Sequence, residues 1–586
     1  MKQILLLILI VFVAINSNGQ PPVIQWQKSY GGPGYEGAHK IRATADGGYI
    51  IASNNNSSGG DVTGNHGGYD FWIVKVNDTG RIQWQKSLGG SLFDVPSDIQ
   101  LTTDGGYIIC GYSYSNDGNV SGNHGGEDAW IVKINDTGGI VWQKTYGSDT
   151  TETASSIQQT TDGGYIFAGL NSGNGGDVSG NHGAGDFWVV KINDTGAIQW
   201  QKSLGGSSYD FAYSVQQTSD GGYIVAGATS SSDGNVAGYH GGQDDWVVKL
   251  NDTGAIQWQK CLGGSLQEFV TSMQQTFDGG YIFAGPTQSM DGDVILRHAM
   301  GEYWVVKLND TGAIQWQNTY GGSNFENATS IVQTLDSGYI INGLSQSNDG
   351  DVFGNHGGED FWVVKIDKAG LLQWQKPLGG TGLEQGVCVT QISGGYMVGG
   401  VSGSNDGDVT GNHGAYDAWV VKLTCNLDAG TIIGLTGVYT SHTITLTDTV
   451  TGGNWRVSNG HATISSGVVT GISPGVDTIY YTVTNSCGTS MAQFQVTVSA
   501  LPTEINPTGN TTLISIAPNP TIGDINIKGF SNPHIKIYNT LGQLIKSAAN
   551  TKTISISEFP TGLYFVRVFN EQGDLLIQEK VVKLQE

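Results

Sequence analysis

Two series of side chains able to bind a cation or move a proton recur through this chain at a nearly fixed spacing. One is a carboxylate every 58 residues: Glu36, Asp94, Glu152, Asp210, Glu268, Glu326 and Glu384. The other is a histidine, at His66, His124, His182, His240, His298, His356 and His413. Each histidine follows an acid or amide by five residues (Asp61, Asn119, Asp177, Asn235, Asp293, Asp351, Asp408), in stretches such as "NDGDVTGNHGAYDAW". Asp, Asn and backbone carbonyls on Gly-rich loops suit Ca2+, which takes several oxygen ligands. Asp61, Asp177, Asp293, Asp351 and Asp408 are therefore candidate metal ligands, with Ca2+ the candidate cofactor. The competing reading is that each carboxylate and histidine caps loop backbone groups or pairs with the other. Recurrence favours the competing reading, because a catalytic site needs residues in different roles and a part found in every unit serves every unit. The spacing also does not match an EF-hand loop. No nucleophile stands beside a base, no acid pair departs from the repeats as a glycosidase pair would, and no Gly motif cradles phosphate. No catalytic residue is assigned.

The elements that position these groups follow from tryptophan. Trp26, Trp84, Trp142, Trp200, Trp258, Trp316 and Trp374 are each 58 residues apart, and a second series runs from Trp72 to Trp419 with a last interval of 57. A period this rigid is one structural unit tiled seven times. In the second unit the strand-like runs are "SDIQLTT", "GYIICGYS", "DAWIVKIN" and "GIVWQKTY". Asp104-Gly105-Gly106 joins the first two and Asn135-Asp136-Thr137-Gly138 the last two, both hairpin chemistry. A repeated four-stranded meander of this length is a β-propeller blade. With strands lettered A to D from channel to rim, the chain opens on an orphan D strand, "VIQWQKSY", and ends its repeats on an orphan C strand, "DAWVVKL". Pairing the two closes a seventh blade and leaves no exposed edge. The A–B and C–D turns then lie on one face, and the longer B–C and D–A loops, with both titratable series, on the other. Gln-rich A strands predict a hydrated, uncharged channel. The fifth unit departs from the pattern with Leu296 and Arg297, which marks it as a place for a specific contact.

"NDTGAIQWQ" resembles the Asp-x-x-Thr-Gly…Trp pattern of quinoprotein dehydrogenase propellers, which supports blade-to-blade docking by Trp but not redox chemistry. The Asp, His and Trp pattern resembles the hydrogen-bond sets of WD-repeat blades. Residues 425–500 hold about seven short strands, a β-sandwich pattern. Within them "ATISSGVVTGISPGVDTIYYTVTNSCGT" resembles bacterial immunoglobulin-like modules, which implies a spacer or adhesive domain. A linker, residues 501–512, leads to "ISIAPNPTIGDINI", "IKIYNTLGQLI", "ISEFPTGLYFVRVF" and "KVVKLQE". These resemble the type A sorting domain of the Bacteroidetes type IX secretion system, on Pro518, Asn519, Pro520, Gly562, Tyr564, Lys580 and Lys583. The resemblance implies a small β-sandwich that hands the chain to the secretion machinery and is then typically cleaved.

The first residues, "MKQILLLILIVFVAINSNGQ", read as a signal peptide over residues 1–19, with no Cys after it for a lipid anchor. No later stretch is long enough to span a membrane. The net charge of −24 sits almost wholly on the repeats and argues against nucleic acid as a partner. Of the five Cys, Cys425 with Cys487 is the one pairing considered.

The sequence thus predicts an all-β chain: a seven-bladed propeller over 20–424, an Ig-like sandwich over 425–500 and a sorting domain over 513–586. It reads as an exported binding or scaffold protein, recognising a glycan, a protein or a divalent cation on the loop face. The rivals are an exported polysaccharide hydrolase and a structural surface spacer.

Overall fold

The structure is a computed structural model describing residues 21–585 apart from 296–297, 299–300, 426–427, 486–487 and 502–512. The signal-peptide segment, Leu296, Arg297, Cys487 and nearly all of the linker therefore lie outside the described residues.

Among the described residues the repeats form seven four-stranded antiparallel sheets. Six are local meanders, such as Glu36–Ala43, Tyr49–Asn55, Asp70–Val76 and Ile82–Leu88 in blade 1. The seventh takes Glu384–Ile392, Gly395–Ser402 and Asp417–Thr424 from the end of the array and completes them with Val23–Tyr30 from its start. The register runs antiparallel from Val23 against Thr424 to Tyr30 against Ala418. This is the clasp that the orphan strands predict.

Local chemistry explains the blade. In the C–D turn of blade 1, Asn77 Oδ1 accepts from the N–H of Thr79 (3.1 Å), the Thr79 hydroxyl (2.8 Å) and the N–H of Arg81 (2.8 Å). Gly80 takes φ of 77°, where a side chain would be strained. Strands B and C of blade 1 are buried at every residue, because neighbouring blades cover both faces.

The two Trp series pack differently. Trp72, Trp130, Trp188, Trp246, Trp304, Trp362 and Trp419 are fully buried. Each Nε1–H donates to a strand-D glutamine, as from Trp72 to Gln85 (2.7 Å) and from Trp419 to Gln27 of the clasp (2.7 Å). The strand-D Trp residues lean on the next blade, edge-on or tilted against its strand-B tyrosine. Trp26 meets Tyr49 at 6.2 Å and Trp200 meets Tyr223 at 5.6 Å. Glutamines staple the ring on its inner side, where Gln159, Gln217, Gln275, Gln333 and Gln391 each accept a backbone N–H from the preceding blade's A–B turn.

Past the ring, Thr443–Thr445 pairs with Val468–Gly471, and Asn454–Val457 with Gly475–Asn485, all antiparallel. Cys425 is disulfide-bonded, while Cys110, Cys261 and Cys388 are buried free thiols. In the last segment, Leu544–Ala549, His534–Tyr538, Gly562–Phe569 and Leu575–Lys583 form one sheet and Ser515–Ala517, Asp524–Lys528 and Thr553–Ser555 another. Their core includes Ile525, Ile535, Ile537, Val566 and Val568. No helix among the described residues is long and apolar enough to cross a membrane.

Candidate functional site

The seven loop carboxylates are buried in the ring. Glu36, Asp94, Glu152, Asp210, Glu268, Glu326 and Glu384 all have no exposed surface. Each closes its own D–A loop by accepting the N–H four residues earlier, as Asp94 does from Gly90 (2.7 Å) and Glu384 from Gly380 (2.8 Å). The other contacts tie most of them to hydroxyls where strand B ends. Asp94 takes those of Ser113 and Ser115, and Glu326 that of Ser345. Burial pushes Glu36, Asp94, Asp210 and Glu326 up from ordinary carboxylate values.

The histidines find a different partner, one the sequence reading passes over. In each blade Nδ1 of the histidine lies against the acid that opens strand C, four residues on. His66 meets Asp70 at 2.6 Å, His182 meets Asp186 at 2.5 Å and His298 meets Glu302 at 2.7 Å. His124, His240, His356 and His413 repeat the contact with Asp128, Asp244, Asp360 and Asp417. The same carboxylate oxygen accepts the histidine's backbone N–H, so the pair is an i,i+4 loop clamp. Burial raises the six aspartates among them, Asp244 to about 6. Spacing could have revealed them, since an acid stands two residues before every strand-C Trp.

A glycine separates the two acid series. A Cβ on Gly89 would sit 2.6 Å from Asp70 Oδ1 and 2.7 Å from Asp94 Oδ2, and one on Gly31 would meet Asp417 and Glu36 in the same way. The first Gly of each D–A loop is thus fixed by carboxylates of adjoining blades closing on it.

The candidate metal ligands are not brought together. Each stands on its own blade, and three of them face the preceding blade's histidine. Asp177 Oδ2 is 4.0 Å from His124 Nε2, Asp293 is 3.9 Å from His240, and Asp408 is 3.9 Å from His356. Asp61 shares a surface cavity with His413. Asp351 donates its backbone N–H to Gly321 across the blade boundary. No three His, Cys, Asp or Glu side chains among the described residues are placed to hold a metal ion. One carboxylate per blade supplies far fewer oxygens than Ca2+ takes.

One acid breaks the pattern. Asp245 occupies the strand-C position where blades 1, 3 and 6 have Phe and blades 2 and 7 have Ala. It is 1% exposed, and neither oxygen has a hydrogen-bond partner of normal geometry, although the Val270 N–H faces it. Burial and the nearby Glu268 and Asp244 push it well up. Leaving such a group unsatisfied costs about 1–3 kcal/mol. Asp245→Ala, the residue of blades 2 and 7, is expected to stabilise the ring by roughly that amount, read as a higher denaturation midpoint; a lower one would mean the acid is needed.

The loop face also carries an aromatic cluster that is not sevenfold. Tyr416, Tyr35, Tyr69, Phe93, Tyr114 and Tyr112 form an unbroken arc over blades 7, 1 and 2, each ring 5.5–6.5 Å from the next. Phe93 is 50% and Tyr114 40% exposed. Glu127 accepts the Tyr114 hydroxyl at 3.0 Å, and burial raises the Glu127 carboxyl. A cavity of about 240 Å³ lies among Tyr35, Tyr416, Leu383, Gln385 and Val401. Periodicity hides this arc, because it uses the variable positions of otherwise uniform blades.

The sorting residues are structural within their own sheets. Asn519 donates through Nδ2 to Lys580 O (2.5 Å) and accepts the Val582 N–H (3.1 Å), so it stitches the Pro-Asn-Pro segment to the last strand. Lys583 reaches the carbonyl of Ser557 at 2.5 Å and also that of Phe559, and the Tyr564 hydroxyl reaches that of Pro560 at 2.7 Å. Gly562 opens the long strand Gly562–Phe569.

Residues 515–583 match the family model of the Secretion system C-terminal sorting domain. No curated protein is similar in sequence. Among solved structures, the chain resembles PorZ, a surface component of the type-IX secretion system of Porphyromonas gingivalis, at 11% identity and a TM-score of 0.33. That match covers 95% of this chain and 61% of PorZ. A Bacteroides fragilis protein described as a "putative 6-phosphogluconolactonase" is similar at 12% identity and a TM-score of 0.35, over 64% of this chain and 97% of that one. Puromycin hydrolase is similar at 10% identity and 0.39, over 80% and 61%. Residues 515–583 are thus a type IX secretion C-terminal sorting domain, and the propeller that carries it is exported to the cell surface or the extracellular space.

Proposed function

We propose that the exported propeller is a recognition protein whose loop face binds a glycan. The carrying observation is the aromatic arc from Tyr416 to Tyr112. Sugar rings are amphipathic: their C–H faces lie on aromatic rings while their hydroxyls need polar partners, and tyrosine supplies both. Glu127 and Gln385 border the arc and supply further acceptors and donors. Phe93 and Tyr114 are exposed and the other four rings half-buried, a contiguous aromatic surface of the kind that supports a binding site. The sevenfold acids and histidines hold the loops that present it.

The test is a glycan array on the purified propeller with and without Phe93→Ala and Tyr114→Ala together. Both rings are half exposed, so the fold is expected to survive. Losing two stacking rings should weaken a bound glycan roughly tenfold or more, at about 0.5–1.5 kcal/mol per aromatic contact beyond its area. An array without hits, or hits unchanged in the double variant, would sink the reading in favour of a protein partner.

A further inference from the structure

The axial channel departs from the neutral lining that the Gln-rich strands predict. A bulge in strand A, seen between Ala38 and Lys40 in blade 1 and at the matching place in blades 2, 4, 6 and 7, resets which residues line the channel. Two rings of side chains result. The first runs Lys40, Asp98, Ser156, Ser214, Ser272, Ser330 and Cys388, at equivalent positions of the seven blades. The second runs Arg42, Gln100, Gln158, Gln216, Gln274, Val332 and Thr390. All but Cys388 line one cavity of about 330 Å³.

The charges in this cavity do not balance. Arg42 is engaged: its guanidinium pairs with Asp98 at 3.2 Å, and its Nε donates to Gln100 Oε1 at 3.2 Å. Asp98 also accepts the Ile157 N–H. Lys40 is left without an ion-pair partner among the described residues, and burial lowers its pKa. The glutamines turn donor groups inward. Oε1 of Gln158, Gln216 and Gln274 each accepts a backbone N–H of the next blade (2.6, 2.7 and 2.9 Å), which leaves the carboxamide –NH2 for the channel. The lining is therefore rich in donors and holds two basic side chains, Lys40 and Arg42, to one carboxylate, Asp98, inside a protein of net charge −24.

We propose that the axial channel is a binding site for a small carboxylate of monosaccharide size, held by Lys40 with the glutamine amides around it. Size agrees, since small-molecule sites begin at about 300 Å³. Burial strengthens a charge-assisted hydrogen bond to the ammonium. The site stands apart from the aromatic arc, so either proposal can fail alone.

The probe is glucuronate, with glucose as its neutral counterpart and inorganic phosphate as a second anion, measured by calorimetry on the purified protein at low salt. Glucuronate should bind and glucose should not. Phosphate binding as tightly as glucuronate would overturn the carboxylate assignment. Lys40→Ser installs the residue of blades 3 to 6, so the ring is expected to fold; it should weaken glucuronate at least tenfold. Asp98→Ser installs the same residue, keeps an acceptor for Ile157 and releases Arg42, and should tighten binding severalfold. Absence of glucuronate binding, equal binding of glucose, or an unchanged affinity in Lys40→Ser would each overturn the proposal.

Discussion

A chain lacking residues 23–30 is expected to lose its cooperative unfolding transition and to aggregate. The deletion removes every backbone pair between Val23–Tyr30 and Asp417–Thr424. It also takes away Gln27, the acceptor for the buried Trp419 indole, and Tyr30, whose hydroxyl donates to Gly80 O at 2.6 Å across the blade boundary. Trp26 goes with them, together with its contact on Tyr49 and its bond to Asp78 O (2.9 Å). Each buried aromatic or aliphatic side chain stabilises by about 1.5–3 kcal/mol. A few such losses rival the ~5–15 kcal/mol that holds a whole domain. The open edge would then be a template for a second molecule. Calorimetry and light scattering read both effects. Moving the strand to follow Asp417–Thr424 through an Asn-Asp-Thr-Gly turn should restore the transition. A deletion variant that stays monomeric with an unchanged melt would mean the ring does not depend on its clasp.

The second large effect lies at the other end. Removing residues 513–586 is expected to abolish surface and extracellular protein and to leave a folded propeller behind the outer membrane, as fractionation and immunoblotting would show. Asn519→Ala should act in the same direction but less completely, because it removes two exposed hydrogen bonds to the last strand, each worth at most about 0.5–1.5 kcal/mol. Fusing 513–586 to a periplasmic reporter should export the reporter. Wild-type levels outside the cell after the truncation would show that the propeller carries its own address.

Strands and ring closure were legible because hydrophobic period, turn residues and Trp spacing all state the same unit seven times. The site was legible only in part. Composition marks the acids and histidines but not their partners. His66 pairs with Asp70 through a loop whose shape depends on where strand C begins, and a one-residue uncertainty there hides the contact. The channel was misjudged for a similar reason. A bulge at His39 turns Lys40 and Arg42 toward the axis, and no local signal announces a bulge. Asp245 was passed over because its neighbours in sequence look ordinary, and its burial comes from the blade beside it.

The clasp also sets an order of events. Val23 pairs with Thr424, so the first strand to be made must wait for nearly the whole array before it meets its mate. Joining the ends of a flexible loop of ~400 residues costs about 5 kcal/mol in entropy, and blades that have already stacked shorten that search. Until then one unsealed rim at each end is open to rescue or to trouble, which makes the interval between synthesis and sealing the vulnerable stage in this protein's life.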